Sequence, residues 1–219
     1  MELILGIDLG TTYSCVAWVD ETGKPQIIKN KEGFLTTPSV VFFRSKTEQE
    51  VGDAAKQYAV MYPDRVVSQI KRHMGEAGYS VFMDGADLRP EEISAHILRK
   101  LVQDAVTTLR EEGAIPADEP ERIAAVITCP AYFGAGERHA TRTAGELAGL
   151  RLLAEPVNEP TAAATLFGVL QQGDTRNVLV YDLGGGTFDV TIIHVEPGLI
   201  DVVCTGGDHH RGGVDWTRH

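Results

Sequence analysis

The sequence predicts an α/β fold that contains a repeated unit. Short apolar runs typical of strands alternate with longer amphipathic stretches typical of helices. Near the N-terminus an apolar run ends in Asp8-Leu9-Gly10-Thr11-Thr12, and a second run ends in Asp182-Leu183-Gly184-Gly185-Gly186-Thr187, with Asp182 lying 174 residues after Asp8. Each segment is followed by a strand, a glycine turn and a further strand, so the opening unit returns near the C-terminus.

Composition places the chain among globular proteins and excludes several classes. Its 219 residues are 43% hydrophobic and 23% charged, which permits a substantial core. The net charge of −11 is the wrong sign for a protein that neutralises nucleic-acid phosphates. Three widely spaced cysteines predict neither a disulfide framework nor a zinc site. No basic leader or long apolar span precedes Asp8, so we predict a cytoplasmic protein without nucleic-acid or membrane partners.

The predicted elements follow the chain in order. Strands are predicted at 3–8, 14–19, 25–28, 40–43, 123–128, 178–182, 190–195 and 199–204. Helices are predicted at 53–61, 63–74, 90–112, 136–147 and 158–169. The third helix is supported by apolar residues every fourth position, namely Ile93, Ile97, Leu101, Ala105 and Leu109. Residues 111–121 and 171–175 read as polar loops, and we expect the chain to end before the second unit acquires a helix.

The two glycine turns have the composition of a phosphate site. A glycine-rich turn exposes backbone N–H groups that an anion can approach closely. Thr11, Thr12 and Thr187 add hydroxyl donors, and Asp8 and Asp182 could hold a hydrated Mg²⁺. A single such turn is more often a plain hairpin. Two copies with Asp, Gly and Thr in the same order favour the phosphate site, and neither a Walker-type loop nor a dinucleotide-binding glycine pattern occurs.

Six ordered segments carry a family resemblance. They are Gly6 to Ser14, Ile70-Lys71-Arg72, Pro130-Ala131-Tyr132-Phe133, Asn158 to Ala164, Asp182 to Val190, and Gly207-Asp208 with Gly212-Gly213. At these residues the sequence resembles the nucleotide-binding domain of the DnaK-type, seventy-kilodalton heat-shock chaperones, within the actin-like ATPase superfamily. The resemblance implies a duplicated ribonuclease-H-like fold. Its first lobe would be complete at residues 1–172, with an inserted subdomain at about 38–113, and its second lobe, 173–219, would be truncated after its first strands.

The resemblance also implies an ATP or ADP site with Mg²⁺, and K⁺ as a further ion. Asp8 and Asp182 would ligate Mg²⁺ through water, Lys71 would place the attacking water, and Glu159 and Thr187 would support the transferring group. By resemblance, the nucleotide would be held by Gly10, Thr11, Thr12, Tyr13, Gly184, Gly185, Gly186, Thr187 and Gly207. Asp189 would belong to a monovalent-ion site, or it would contact the Mg²⁺ ligands without contacting the ion itself.

Partners and alternatives follow from the same resemblance. A J-domain co-chaperone, a nucleotide exchange factor and client polypeptides would be partners of a longer parent protein. Glu155 stands where the family often has an arginine used by J-domain proteins, and this charge reversal argues against ordinary J-domain docking. The family's adenine pocket lies in sequence not present here, so we expect weak nucleotide affinity. A sugar kinase, an actin-like filament ATPase and a catalytically inactive nucleotide-binding fragment remain the alternatives.

Overall fold

A computed structural model describes residues 2–117, 122–170, 175–208 and 211–216. The strands are β1 (Glu2–Asp8), β2 (Tyr13–Val19), β3 (Pro25–Ile28), β4 (Thr37–Pro38), β5 (Val40–Phe43), β6 (Gln49–Val51), β7 (Val66–Ser68), β8 (Val81–Met83), β9 (Ala86–Leu88), β10 (Arg122–Cys129), β11 (Arg151–Leu152), β12 (Val157–Asn158), β13 (Arg176–Leu183), β14 (Phe188–Glu196) and β15 (Leu199–Asp208). The helices are α1 (Asp53–Tyr58), α2 (Pro90–Glu111), α3 (Ala135–Leu147), α4 (Glu159–Leu170) and α5 (Gly213–Trp216).

The first sheet is mixed and confirms the α/β class. Its strands run in the order β11-β10-β1-β2-β3, with β1 parallel to β10 and antiparallel to β2. The alternation of β1 buries Leu3, Leu5 and Ile7 on one face. These side chains share a single core with apolar residues of α2 and α3. The predicted antiparallel meander of the first three strands is therefore confirmed.

Helix α2 forms as its pattern predicts and ends one residue earlier than expected. The five positions of its predicted apolar face, from Ile93 to Leu109, are all buried. Pro90 begins the first turn, where its missing N–H costs nothing. The Glu92 side chain accepts a hydrogen bond from the Arg89 backbone N–H at 2.8 Å, which closes the helix start.

The predicted helix at 63–74 is wrong. The segment forms a short 3₁₀ turn at Pro63–Arg65, strand β7, and a second 3₁₀ turn at Ile70–His73. The β-branched pair at Val66 and Val67 joins β5 in an antiparallel ladder, which outweighs the weak helical pattern. Gln69 then adopts a left-handed conformation with φ of 57°, which interrupts any helix at this point.

The second sheet repeats the meander of the first three strands. β13, β14 and β15 pair in order and antiparallel, and α4 packs on one face around Ala164, Ile193 and Val195. On the opposite face Leu179 and Tyr181 are exposed. The expectation that no helix follows is wrong, because α5 forms one turn at Gly213–Trp216.

Parts of three predictions lie outside the described residues: 118–121 of the predicted loop, 171–174 of the predicted connector, and the terminal 217–219. The predicted lobe boundary at 172/173 falls in one of these segments. Within the described ranges, no helix is long and apolar enough to cross a membrane.

Candidate functional site

The first glycine turn joins β1 to β2 and is held by a small hydroxyl network. The Gly10 backbone N–H donates to Ser14 Oγ at 3.1 Å, and Ser39 Oγ donates to the Gly10 carbonyl oxygen at 2.8 Å. The Ser14 and Ser39 hydroxyls are 2.9 Å apart. A Cβ on residue 10 would lie 2.0 Å from the Tyr13 carbonyl oxygen, so this turn can close only around glycine.

The second turn joins β13 to β14 and meets the first. A Cβ on Gly185 would lie 1.8 Å from Thr12 Oγ1, so the turns touch where side chains are absent. Behind the second turn, the Gly213 and Val214 backbone N–H groups donate to the carbonyl oxygens of Gly184 and Gly185 at 2.9 and 3.0 Å. The first and second glycine turns, which come from opposite ends of the sequence, therefore lie face to face.

A cavity of about 730 Å³ opens between the two turns. It is large enough for a nucleotide-sized ligand. It is lined by Asp8, Gly10, Thr11, Thr12, Tyr13, Lys71, Thr128, Glu159, Ala162, Ala163, Asp182, Gly184, Gly185, Thr187, Gly213 and Val214. Most of the site residues named from sequence therefore surround one space.

Three neighbouring strand ends deliver polar groups to one edge of this cavity. β1 ends at Asp8, and the parallel strand β10 places Thr128 beside it, one residue beyond the pair Ile7 and Ile127. Thr128 Oγ1 donates to Asp8 Oδ1 at 2.9 Å. β12 pairs with the end of β10 and leads directly into Glu159, the first residue of α4.

Lys71 and Glu159 form a largely buried ion pair at the cavity floor. Lys71 Nζ lies 2.6 Å from Glu159 Oε1, and Lys71 is only 7% exposed. Burial alone would lower the pKa of Lys71, but the carboxylates of Glu159 and Asp8 outweigh it and raise that pKa. Lys71 is therefore an ammonium at neutral pH. It offers a fixed positive charge next to the two glycine turns.

Carboxylates outnumber this ammonium around the cavity. Burial, and then the negative charge of Asp8, raise the pKa of Asp182. Burial also raises the pKa of Glu159 despite the opposing charge of Lys71. Asp189, paired in register with Asp182 and 2% exposed, has its pKa raised to about 7 by burial and by the nearby charge of Glu159. This excess of negative charge suits a site that holds a cation together with its ligand.

The sequence matches one protein family over nearly the whole chain. The model of the Hsp70 protein family matches residues 4–219. The chain belongs to the Hsp70 family. The Chaperone protein DnaK of Thermotoga neapolitana is 47% identical over 215 residues, which cover 98% of this chain and 34% of that protein. The corresponding proteins of Thermotoga petrophila and Thermotoga maritima show the same identity and coverage. The chain thus spans about a third of the length of these curated relatives.

Arg72 ties the second turn of this Hsp70 chain to the rest of the site. Its guanidinium donates to the Gly186 carbonyl oxygen from Nε at 3.1 Å and from Nη2 at 2.7 Å. The same group forms an ion pair with Asp215 in α5, with both side chains mostly buried. Asp215 Oδ2 also accepts the Gly212 backbone N–H at 2.9 Å. Arg72 therefore connects the 3₁₀ turn after β7, the second glycine turn and α5.

Three residues named from sequence, Gly186, Asp189 and Gly207, do not line the cavity of this Hsp70 chain. Gly186 faces Thr11 and Arg72 behind the turn, and Gly207 lies in β15 opposite Asp189. Sequence reasoning missed Thr128, Arg72 and Asp215. A parallel alignment of the predicted strands 3–8 and 123–128 could have identified Thr128, since both predicted strands end in a polar residue. Nothing in the sequence links Arg72 with Asp215, which lies 143 residues away.

Proposed function

We propose that this chain binds Mg-ATP and hydrolyses it, as the nucleotide-binding part of a DnaK-type chaperone. The observation that carries the proposal is the meeting of two glycine turns at a single cavity, with the Lys71–Glu159 ion pair at its floor. Phosphoryl transfer depends mainly on positioning and charge stabilisation, and these are what the cavity offers.

The two turns are suited to hold the phosphate groups. Backbone N–H groups at 11–13 and 185–187 would donate to phosphate oxygens, with hydroxyls of Thr11, Thr12 and Thr187 beside them. The N–H groups of Gly10 and Gly184 are instead bonded within their own turns. Thr12 Oγ1 is buried and has no hydrogen-bond partner among the described residues. A donor of this kind is expected at a site whose ligand supplies the acceptor.

The residues of the cavity fit a hydrated Mg²⁺. Asp8 and Asp182 both line the cavity, and Mg²⁺ in nucleotide sites uses one or two carboxylates with water and phosphate oxygens. When bound, Mg²⁺ would neutralise charge on the phosphates. Asp189 is a candidate for K⁺, because its buried Oδ1 lacks a hydrogen-bond partner in the described part of the chain.

Lys71 and Glu159 are suited to act on the transferring group. The Lys71 ammonium would hold the attacking water and stabilise negative charge on the γ-phosphate. Glu159 fixes the direction of Lys71 through the 2.6 Å contact. Thr187, the last residue of the second turn before β14, would support the same phosphate.

The architecture is proposed to be the duplicated actin-like ATPase fold. The two antiparallel meanders, β1-β2-β3 and β13-β14-β15, support two related lobes, 1–172 and the beginning of a second at 173–219. The sheet β6-β5-β7 and the hairpin β8-β9 support an inserted subdomain at about 38–113.

Partners beyond nucleotide are proposed for the longer protein to which such a domain belongs. The matched relatives are named Chaperone protein DnaK, which supports client polypeptides, J-domain proteins and exchange factors as partner classes. Glu155 is highly exposed and forms an ion pair with Arg142 on α3. That acidic position supports altered J-domain docking.

Calorimetric titration with ADP and ATP, with and without Mg²⁺, tests binding, and single-turnover hydrolysis tests the reaction. We expect Mg²⁺-dependent binding and hydrolysis that falls at least about 100-fold in Lys71→Ala. Lys46→Ala, which removes an exposed lysine outside the cavity, is the matched control and should hydrolyse like the parent chain.

Three outcomes would redirect the proposal. Absence of nucleotide binding by the folded chain would reject it. Binding without hydrolysis would favour an inactive nucleotide-binding module. Acceleration of ATP turnover by a small sugar would favour a sugar kinase.

A further inference from the structure

We propose that Thr128 is a positioning residue that orients the Asp8 carboxylate toward the metal side of the cavity, an inference that rests on the proposed function. Neither the glycine turns nor the Lys71–Glu159 pair includes this threonine. It lines the same cavity and contacts the carboxylate that we place next to Mg²⁺.

The strand register fixes the contact between the two residues. β1 and β10 run parallel through the core, and their last paired positions, Ile7 and Ile127, are both nearly fully buried. Asp8 and Thr128 follow immediately at the same sheet edge. The side chain of Thr128 is β-branched and stiff at χ1, so its hydroxyl is held in place by the strand. Its single O–H donates to Asp8 Oδ1 at 2.9 Å.

Satisfaction of a buried acceptor does not explain this hydrogen bond. Asp8 is an exposed residue at the end of β1, and water could reach its carboxylate. In the described part of the chain, Thr128 is the one side chain that donates a hydrogen bond to that carboxylate. The bond therefore acts on orientation. Because Asp8 Oδ1 accepts this hydrogen bond, the plane of the Asp8 carboxylate is fixed. Asp8 Oδ2 can then accept a hydrogen bond from water bound to a cation.

Loss of the hydroxyl should weaken the metal contribution and leave the rest of the nucleotide site intact. The terminal torsion of an aspartate is broad, so an unrestrained Asp8 must be ordered when the ion binds. Residues that orient metal ligands through hydrogen bonds typically change metal affinity by about 10- to 100-fold. Asp8 would contact the ion through water and not directly, so the effect on metal affinity should fall at the lower end of that range. We therefore expect an effect of about tenfold.

The experiment compares ADP affinity of the full chain in excess Mg²⁺ and in EDTA by calorimetric titration. Thr128→Val keeps the branched shape and removes the hydroxyl, and Thr128→Ser keeps the hydroxyl. We expect Thr128→Val to reduce the Mg²⁺-induced gain in ADP affinity about tenfold and to leave the affinity in EDTA unchanged. Thr128→Ser should restore most of the gain. Thr107→Val, at a half-buried position of α2 outside the cavity, is the matched control and should behave like the parent chain.

The outcomes separate this inference from the proposed function. If the parent chain shows no Mg²⁺-dependent gain in ADP affinity, the proposed function fails and the inference fails with it. If the parent chain shows the gain and Thr128→Val shows it equally, only the inference is overturned. A uniform loss in Mg²⁺ and in EDTA would also overturn it, since this indicates a general structural role. Thr128→Ala decides the same comparison if circular dichroism shows Thr128→Val to be unfolded.

Discussion

At the scale of single residues, the site depends on where side chains are missing. Thr12 occupies the space that a side chain on residue 185 would need, with its Oγ1 1.8 Å and its Cβ 2.7 Å from the position of that Cβ. Backbone and a short branched side chain therefore meet directly. The close approach brings both turns to one cavity, and it leaves no room for a methyl group.

Gly185→Ala tests this close approach. We expect it to lower the free energy of unfolding by about 1–3 kcal/mol, because a packed contact must shift to accept the new methyl group. ADP affinity should fall with it, because the turns would separate. Gly184→Ala is the control for stability, since its nearest neighbour, the Thr187 carbonyl oxygen, would lie at an ordinary contact distance of 3.4 Å. Urea unfolding of both variants measures the difference, and equal stabilities would contradict the packing argument.

The residues of the two turns could be named from sequence because each copy carries its own local signal. Asp8 and Asp182 each follow an apolar strand and precede glycine, and the repetition made the pattern specific. Lys71 carried no such signal. A lysine beside an arginine and a histidine is ordinarily a solvated face, and only the resemblance singled it out. Its 7% exposure depends on Glu159, a partner 88 residues away.

At the scale of elements, strong periodicity was a better guide than local propensity. α2 repeats its apolar residues over five turns, so the helix could be predicted almost to the residue. The segment 63–74 begins with a helix-compatible proline and has no comparable pattern. Its strand β7 forms because it pairs with β5, and its second 3₁₀ turn places Lys71 at the cavity and Arg72 against the second glycine turn. Such pairing is tertiary information that a single sequence does not contain.

The ion pair between Arg72 and Asp215 should contribute measurably to the stability of α5 and the second turn. Both side chains are mostly buried, at 14% and 26% exposure, and Arg72 also donates twice to the Gly186 carbonyl oxygen. A double-mutant cycle with Arg72→Gln and Asp215→Asn should give a coupling free energy of about 1–3 kcal/mol. We expect the same cycle at the exposed pair of Arg151 and Glu2 to give less than about 1 kcal/mol. Equal coupling free energies at the two pairs would contradict the expectation that the buried pair of Arg72 and Asp215 contributes more to stability than the exposed pair.

At the scale of the whole molecule, two sheets with different surroundings meet at one cavity. The first sheet lies in a large continuous core with α2 and α3. The second sheet shares a small core with α4. The sequence predicted the repeat, because both units carry Asp, Gly and Thr in the same order after an apolar strand. It could not predict how the glycine turns pack against each other, which depends on contacts between residues more than 170 positions apart.

The second sheet should therefore respond very differently to changes on its two faces. Leu179, at 62% exposure, points away from α4, whereas Ile193, at 0%, lies against Ala164 of that helix. We expect Ile193→Ala to lower the free energy of unfolding by about 2–5 kcal/mol, because it removes buried methyl groups and leaves a cavity. Leu179→Ala should change the free energy of unfolding by less than about 0.5 kcal/mol, because its side chain is largely in water already. The double change Leu179→Lys and Tyr181→Lys should leave stability similar and reduce the binding of a hydrophobic dye, since both residues contribute to one exposed apolar patch. Urea unfolding and dye fluorescence of the three variants test this asymmetry. A large loss of stability in Leu179→Ala would show instead that the outer face is covered in solution.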